Sequence, residues 1–294
     1  MSLRINTNVA ALNAYNNLAA NQAKQASAFE QLSSGLRINK AADDAAGLSI
    51  SQGLTSQVNG LTQATSNAQD GINVAQIADG ALGTVQNILQ RMRTLVVQAS
   101  NEGTQDSSSL TSIQGEVKAL NGQLDNIAGQ TKFGATNLLD GSYTKNFQVG
   151  ANGGDVIGLD LQKADVKSAT LGNATTTLSA LKIATNAFSA AVGYTNDGTA
   201  TSDTQTDLDA IDAAIGTVST ARSGIGATQN QLNYTVSNLQ TAITNVTSSR
   251  SNLTDADLAA QVTAMTQAQI LTSAATSVLA QANSAPQAIL KLLQ

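Results

Sequence analysis

The 294-residue chain contains no cysteine, no histidine and no tryptophan. Without cysteine it can form no disulfide, and without cysteine and histidine it lacks the ligands of the usual structural zinc sites. Without histidine it has neither a histidine general base nor a serine–histidine–aspartate triad. We therefore expect no catalytic site, no metal site and no enzymatic activity.

Charged and aromatic residues are also scarce. Charged residues make up 12% of the chain and aromatic residues 3%, whereas an average domain carries about 25% charged residues. Ala, Asn, Gln, Ser and Thr take their place, a composition that suits close helix packing rather than a deep pocket, and we expect no cofactor. The net charge of −5 disfavours nucleic-acid and anionic-membrane partners, which require a basic patch.

Long hydrophobic runs are absent too. The sequence has no stretch of about 18 apolar residues, so no membrane span is predicted. The opening residues, MSLRINTNVAALN, lack the apolar core of a cleaved signal peptide. If the protein leaves the cell, we expect it to use another route.

Helical patterns occupy both halves of the chain, and the single proline, Pro286, leaves them almost uninterrupted. In the first half, apolar residues recur at helical spacing at Val9, Leu12, Phe29, Leu32 and Leu36, at Leu82, Val85, Leu89, Met92 and Val96, and at Ile113, Val117, Leu120 and Leu124. In the second half they recur at Leu232, Val236, Leu239, Ile243 and Val246, and at Leu258, Val262 and Met265. The heptad-like spacing predicts antiparallel coiled-coil neighbours, with the two termini together.

The middle of the chain has a different pattern. Apolar and other residues alternate around Phe147–Val149 and again over Ile157–Leu161, and ANGG lies between them. This predicts a β-hairpin. Residues 163–207 have weak periodicity and are interpreted as a surface excursion, with a helix considered over Leu178–Val192. The predicted fold class is therefore mainly α: a long antiparallel helical bundle from both termini, with a small β-hairpin region.

Polar residues stand where the helices are expected to begin. Asn8, Asp43 or Asp44, and the pair Asp255 and Asp257 are interpreted as helix caps rather than catalytic groups. Pro286 is expected to end the last helix or to start its last turn.

The two ends of the chain are unusual for a soluble protein. The C-terminal segment LAQANSAPQAILKLLQ, residues 279–294, is apolar almost to its last residue. Such terminal helices, with a narrow apolar stripe and almost no charge, would be marginal in an isolated chain. They would gain stability if several chains packed them together. The pattern therefore favours a self-assembling structural protein whose ends fold on assembly.

Several long motifs resemble bacterial flagellin. They are LRINTNVAALNAYNNL, QLSSGLRINKAADDAAGLSIS and QRMRTLVVQASNEGTQ in the first half, FQVGAN in the hairpin, and ARSGIGATQNQLNYTVSNL, TDADLAAQVTAMTQAQIL and VLAQANSAPQAILKLLQ in the second half. They cover nearly the whole chain except about residues 163–207. The resemblance implies a subunit that assembles into the extracellular flagellar filament for swimming motility.

The resemblance also implies a domain organisation. Residues 1–42 and 255–294 would form an inner helical domain that is disordered in the free subunit. Residues 43–165 and 205–254 would form an outer-tube domain of helices and a β-hairpin, and residues 166–204 a short variable insertion. Such a chain would be a minimal flagellin, exported unfolded through the flagellum's own secretion apparatus.

The partners and contact residues follow from the same resemblance. The implied partners are further copies of the chain, an export chaperone, the filament cap, the hook–filament junction proteins and Toll-like receptor 5. The receptor contacts carried over are Arg91, Leu95 and Glu116. Arg91 and Arg93 also permit a second interpretation, a solvated helix face. The subunit-packing residues are Leu12, Leu18, Phe29, Leu32, Leu36, Leu258, Val262, Met265, Ile270, Leu271, Leu279, Ile289, Leu290 and Leu293.

Two alternative functions are compatible with parts of the resemblance. A hook–filament junction protein shares the terminal motifs, but the QRMRTLVVQAS and ARSGIGATQNQLNY matches disfavour it. Some flagellins carry a metallopeptidase domain in the insertion, but here the insertion is short and no histidine is present to bind zinc.

Overall fold

The computed structural model describes residues 8–101, 105–172, 177–180 and 203–292. Within these ranges the helices are α1 (Val9–Ser34), α2 (Ala45–Ala99), α3 (Ser107–Gln130), α4 (Asp203–Thr254) and α5 (Leu258–Leu292). The strands are β1 (Lys132–Phe133), β2 (Thr136–Asn137), β3 (Thr144–Gln148) and β4 (Val156–Asp160), and they form two antiparallel hairpins. The predicted mainly α fold with a small β region is confirmed. The helix considered over Leu178–Val192 falls mostly outside the described residues, which contain a short 3₁₀ turn at Leu178–Ala180.

The chain divides into two compact units. One contains the described residues up to Val58 and from Thr244 onward, and the other is Asn59–Ile243. None of the helices in the described ranges combines the length and the apolar character that a membrane crossing requires.

The caps predicted at Asn8, Asp44 and Asp257 are confirmed, whereas Asp255 accepts hydrogen bonds from Ser251 and Thr254 at the end of α4 and does not cap α5. The side chain of Asn8 accepts a hydrogen bond of 3.0 Å from a backbone N–H in the first turn of α1. Asp44 and Asp257 accept equivalent bonds of 2.9 Å at the starts of α2 and α5. Gly35 ends α1 with φ +71°, a left-handed conformation that glycine adopts without strain.

The unit Asn59–Ile243 is built around a three-helix core. The heptad positions of α2 face α3 and α4, and the core residues are Val74, Ala78, Leu82, Val85, Leu89, Met92 and Val96 from α2, Leu110, Ile113, Val117 and Leu124 from α3, and Ile211, Ala214, Val218 and Ile225 from α4. Full burial of each large side chain stabilises the fold by about 1.5–3 kcal/mol. The segment after α3 closes the same core with Leu138, Leu139, Leu159 and Leu161.

Three partly exposed ion pairs join the helices of this bundle. Arg222 and Arg93 link α4 and α2 through Asp79 and Asp212, at 2.8 and 2.7 Å, and Arg91 on α2 binds Glu116 on α3 at 2.8 Å. Because these pairs are solvent-exposed, their contribution to stability is small. Their positions fit antiparallel neighbours, as the heptad pattern predicts.

The hairpin β3–β4 packs on both long helices. Phe147 pairs with Ile157 across the hairpin, and these residues contact α2 at Ile72 and α4 at Leu232. The predicted hairpin is therefore confirmed. Its strands end in the Gly-rich turn that the sequence indicates.

One face of α2 admits the hairpin because its side chains are small. Gly60, Ala64, Asn67 and Gly71 follow one another at intervals of four, three and four residues, the spacing of a single helix face. A Cβ atom at Gly71 would lie 3.2 Å from both the Phe147 ring and the Leu232 side chain, and one at Gly60 would lie 3.0 Å from the Ala151 Cβ. The Asn67 amide donates a 3.0 Å hydrogen bond to the carbonyl of Gln148. Glycine at both positions thus allows the two backbones to approach.

Replacing Gly71 by valine should destabilise the unit Asn59–Ile243 by about 1–3 kcal/mol, because the added atoms overpack the contact with Phe147 and Leu232. Urea unfolding followed by circular dichroism measures the change. Gly80→Ala is the matched control, since a Cβ there meets nothing within 4 Å. It should be neutral or stabilise the helix by up to about 1 kcal/mol. Equal free energies of unfolding for the two variants would contradict the account.

Candidate assembly surface

Helices α1 and α5 pack against each other in antiparallel orientation. Asn8 contacts Ala282 near one end of the pair, and Leu36 forms a β-bridge with Asp255 at the other. The buried residues in the contact are small: Ala14 and Ala28 on α1 and Ala268 on α5. Small side chains allow the helices to approach closely, but they remove little apolar surface from water. This pair therefore has a much smaller core than the three-helix bundle.

Most of the large apolar side chains of the pair are exposed, and none of those described is fully buried. Ile270 is 64% exposed and Phe29 is 63% exposed. The other exposed ones are Val9, Leu12, Tyr15, Leu36, Leu258, Val262, Leu271 and Val278. Single exposed apolar residues are ordinary, but so many on one helix pair mark an interaction surface. We call these ten residues the assembly surface.

The hydroxyl groups beside this surface are already hydrogen-bonded within α5. Thr263, Thr266, Thr272 and Thr276 each donate to the carbonyl four residues earlier, at 2.8–2.9 Å. Such back-bonding satisfies the hydroxyl inside the helix. The only charged residue of α5 is Lys291. Removing these hydroxyls from water therefore breaks few polar contacts, and the described part of the helix surface carries no charge.

Pro286 lies inside α5, and six further helical residues follow it. The expectation that it ends the helix or starts the last turn is therefore wrong. Proline has no backbone N–H, so the carbonyl four residues earlier, that of Ala282, receives no helical hydrogen bond from it. The Asn8 amide nitrogen donates to this carbonyl at 2.7 Å. A bond from α1 thus satisfies the acceptor that the proline leaves free, which is why the helix tolerates the proline.

Asn8 consequently uses both ends of its side-chain amide. The oxygen caps α1 and the nitrogen fixes α1 against α5. The sequence suggested the first role, because Asn before an apolar helix is a common cap. It gave no sign of the second, which depends on a proline almost 280 residues away.

At the end of the α1–α5 pair opposite Asn8, hydrogen bonds join the segment that connects α1 to α2 with the segment that connects α4 to α5. The backbone N–H of Arg37 donates to the carbonyl of Thr254 at 2.7 Å, and the N–H of Ala256 donates to the carbonyl of Gly35 at 2.9 Å. The Arg37 guanidinium also donates to the carbonyl of Leu253 at 2.6 Å. These bonds join the α1–α2 connection to the α4–α5 connection.

Two carboxylates brace these connections. Backbone N–H donors from Asn39 and Lys40 hold the pKa of Asp43 below its ordinary value. The hydroxyls of Ser251 and Thr254 lower the pKa of Asp255 in the same way. Both groups are therefore held in the ionised form as acceptors, and their role is structural.

The structure separates the sequence-predicted packing residues into three groups. Leu12, Phe29, Leu36, Leu258, Val262, Ile270 and Leu271 are exposed on the assembly surface. Leu18, Leu32, Met265 and Leu279 are half-buried. Ile289 and Leu290 belong to α5, but the environment of their side chains is not described, and Leu293 lies outside the described residues. The predicted set of packing residues does not include Val9, Tyr15 and Val278, which share the exposed surface.

The residues carried over as receptor contacts lie in the other unit. Arg91 and Glu116 form the exposed ion pair between α2 and α3, and this pairing raises the pKa of Arg91. Leu95 is only 2% exposed and belongs to the three-helix core. The accessible part of this group is therefore the pair Arg91 and Glu116.

Two family models match the chain. The N-terminal helical region of bacterial flagellin matches residues 5–144, and the C-terminal helical region matches residues 208–293. The chain belongs to the bacterial flagellin family. Flagellin of Bacillus subtilis is 40% identical over 314 residues, which is 99% of this chain and 100% of that protein.

Other flagellins show the same likeness. Flagellin of Halalkalibacterium halodurans is 42% identical over 291 residues, covering 99% of both chains. The crystal structure of Bacillus cereus flagellin aligns with 59% of this chain and 88% of its own, at 27% identity and a TM-score of 0.44. The sequence resemblance to flagellin is therefore confirmed over the full length of the curated relatives.

Replacing Asn8 by aspartate should weaken the α1–α5 pair by about 1 kcal/mol, because the cap oxygen stays while the donor to Ala282 is lost. Thermal dissociation of the assembled chain, followed by far-UV circular dichroism, measures the change. Pro286→Ala supplies the control background, since its restored N–H can bond to Ala282 within the helix. There, Asn8→Asp should cost clearly less. An equal cost in both backgrounds would contradict the coupling of Asn8 to Pro286.

Proposed function

We propose that the chain is the structural subunit of the helical bacterial flagellar filament and serves swimming motility by transmitting motor torque as thrust. The single observation that carries the proposal is the assembly surface on α1 and α5. Large apolar side chains are exposed there, while small ones form the contact within the pair. Neighbouring copies of the same helices are the partner that fits this arrangement, as the family membership supports.

Burial of the assembly surface supplies the driving force. Each large apolar side chain transferred from water contributes about 1.5–3 kcal/mol. The back-bonded threonines and the near absence of charge on α5 lower the opposing desolvation cost. Repeated contacts between identical chains that do not close into a ring generate a helical filament.

Each domain has its own place in the proposed filament. Residues 1–42 and 255–294 would line the inner tube, residues 43–165 and 205–254 would form the outer tube, and residues 166–204 would be the short variable insertion. The large apolar core supports an outer domain that folds in the single chain. The contact between α1 and α5, in which only alanines are fully buried, supports an inner domain that depends on neighbours.

The extracellular filament is the proposed location, reached through the flagellum's own secretion apparatus. The proposed partners besides further copies of the chain are an export chaperone, the filament cap and the hook–filament junction proteins. Toll-like receptor 5 is proposed as an incidental partner. Its accessible contacts would be Arg91 and Glu116, and Leu95 would support them from the core.

The alternative role as a hook–filament junction protein is not favoured. The relatives that match this chain over its full length are named flagellins. The family is one of structural proteins, and we propose no catalytic role.

Replacing Ile270 by asparagine should raise the critical concentration for assembly by about tenfold to a hundredfold. The variant loses about 1.5–3 kcal/mol of apolar burial per subunit, and each 1.4 kcal/mol corresponds to a factor of about ten. Sedimentation of filaments from seeded solutions measures the concentration.

Gln269→Asn is the matched control, because it places the same residue at the neighbouring exposed position of α5 without removing an apolar side chain. It should assemble as the parent chain does. Unfolding of the unit Asn59–Ile243, measured by circular dichroism, should be unchanged in both variants. Normal assembly of Ile270→Asn would refute the role of this surface.

A further inference from the structure

We propose that Asn152 is a site of spontaneous deamidation, located at the exposed turn of the β3–β4 hairpin. The sequence contains three Asn-Gly pairs, at Asn59-Gly60, Asn121-Gly122 and Asn152-Gly153. The first two lie in α2 and α3, and the third lies in the turn between β3 and β4. Glycine after asparagine leaves the backbone nitrogen unshielded and its conformation free.

The reaction needs the chain's own atoms and water. The backbone nitrogen of Gly153 gives up its proton and attacks Cγ of Asn152, forming a five-membered imide. The bond from Cγ to Nδ2 breaks, and that nitrogen leaves as ammonia with the proton. Water then opens the imide at one of its two carbonyls, which yields aspartate or isoaspartate.

The geometry of the turn leaves both reacting groups free. Asn152 and Gly153 are exposed. Among the described residues, none accepts a hydrogen bond from the Gly153 N–H, and no atom lies within 4 Å of the position a Gly153 Cβ would take. The turn is held instead through the carbonyl of Asn152, which accepts bonds of 2.6 Å from the Gln148 amide and 3.4 Å from the Asp155 N–H.

The two helical pairs lack this freedom. In a helix the N–H of the glycine is bonded to the carbonyl four residues earlier, and the backbone holds it away from the preceding side chain. Reaction at Asn59 or Asn121 therefore requires local opening of the helix. Such opening should slow those sites by at least about tenfold relative to Asn152.

The modification would alter the contact of the hairpin tip with α2. Isoaspartate lengthens the backbone at Asn152, next to Ala151, which is the residue that lies against Gly60. Either product also adds a negative charge to a turn that already contains Asp155. The packing at Gly60 should therefore loosen in the isoaspartate form, because its backbone no longer fits the turn.

The test is incubation of the full chain at mildly alkaline pH, with peptide mapping by mass spectrometry and enzymatic detection of isoaspartate. Conversion at Asn152 should be at least about tenfold faster than at Asn59 and Asn121. Gly153→Ala should slow the conversion severalfold, because its methyl group hinders the attack. This variant should fold normally, since the added Cβ meets open space. Equal rates at the three sites, or an unchanged rate in Gly153→Ala, would overturn the proposal.

A second measurement distinguishes the effect of the lengthened isoaspartate backbone from the effect of the added negative charge. The N–H of Val149 is bonded to the carbonyl of Asp155 at 2.8 Å, next to the turn. Hydrogen exchange at Val149 should be faster in the isoaspartate chain than in an Asn152→Asp variant, which carries the charge on a normal backbone. Equal exchange in the two chains would overturn the inferred loosening of the hairpin tip.

Discussion

The contact between α1 and α5 limits the stability of the two terminal helices in the single chain. Alanines meet across it, and the large apolar side chains of the same helices remain in water. An isolated helix is only marginally stable, and a helix within a protein owes most of its stability to the packing of its apolar face. The pair fully buries only alanines and leaves Leu18, Leu32, Met265 and Leu279 half-buried. It therefore obtains less stabilisation than the three-helix bundle obtains from its buried leucines, isoleucines and valines. Contacts with other copies can supply the difference.

The unusual composition follows from the same constraint. Charges on a helix surface that packs against neighbouring copies would oppose assembly, because an unpaired buried charge is very costly. Threonine and serine keep the helix surface polar before assembly. Their hydroxyls are hydrogen-bonded to carbonyls of the same helix, so these bonds need not break when the surface is buried. The bond from Asn8 to Ala282 solves a similar problem, because it satisfies a carbonyl that the proline leaves without a helical partner.

Much of the fold could be predicted from the sequence. Periodicity located parts of all five helices, and the alternation around Phe147 and Ile157 located the hairpin, because these patterns reflect one buried face. Periodicity did not locate the first half of α4, where Ile211, Val218 and Ile225 enter the core. Other features depend on tertiary contacts that no local pattern records. The continuation of α5 through Pro286 requires Asn8, and the packing of α2 against the hairpin requires Gly60 and Gly71. A motif match carried Leu95 over as a contact residue, but its burial follows from the packing of three helices.

Amide hydrogen exchange, compared between the free chain and the assembled filament, tests directly whether α1 and α5 depend on neighbouring copies for their stability. We predict rapid exchange throughout α1 and α5 in the free chain, strong protection of the bundle formed by α2, α3 and α4 within Asn59–Ile243, and a large gain in protection of α1 and α5 on assembly. Protection of α1 and α5 in the free chain equal to that of the bundle would contradict this prediction, because the pair would then be stable without its neighbours.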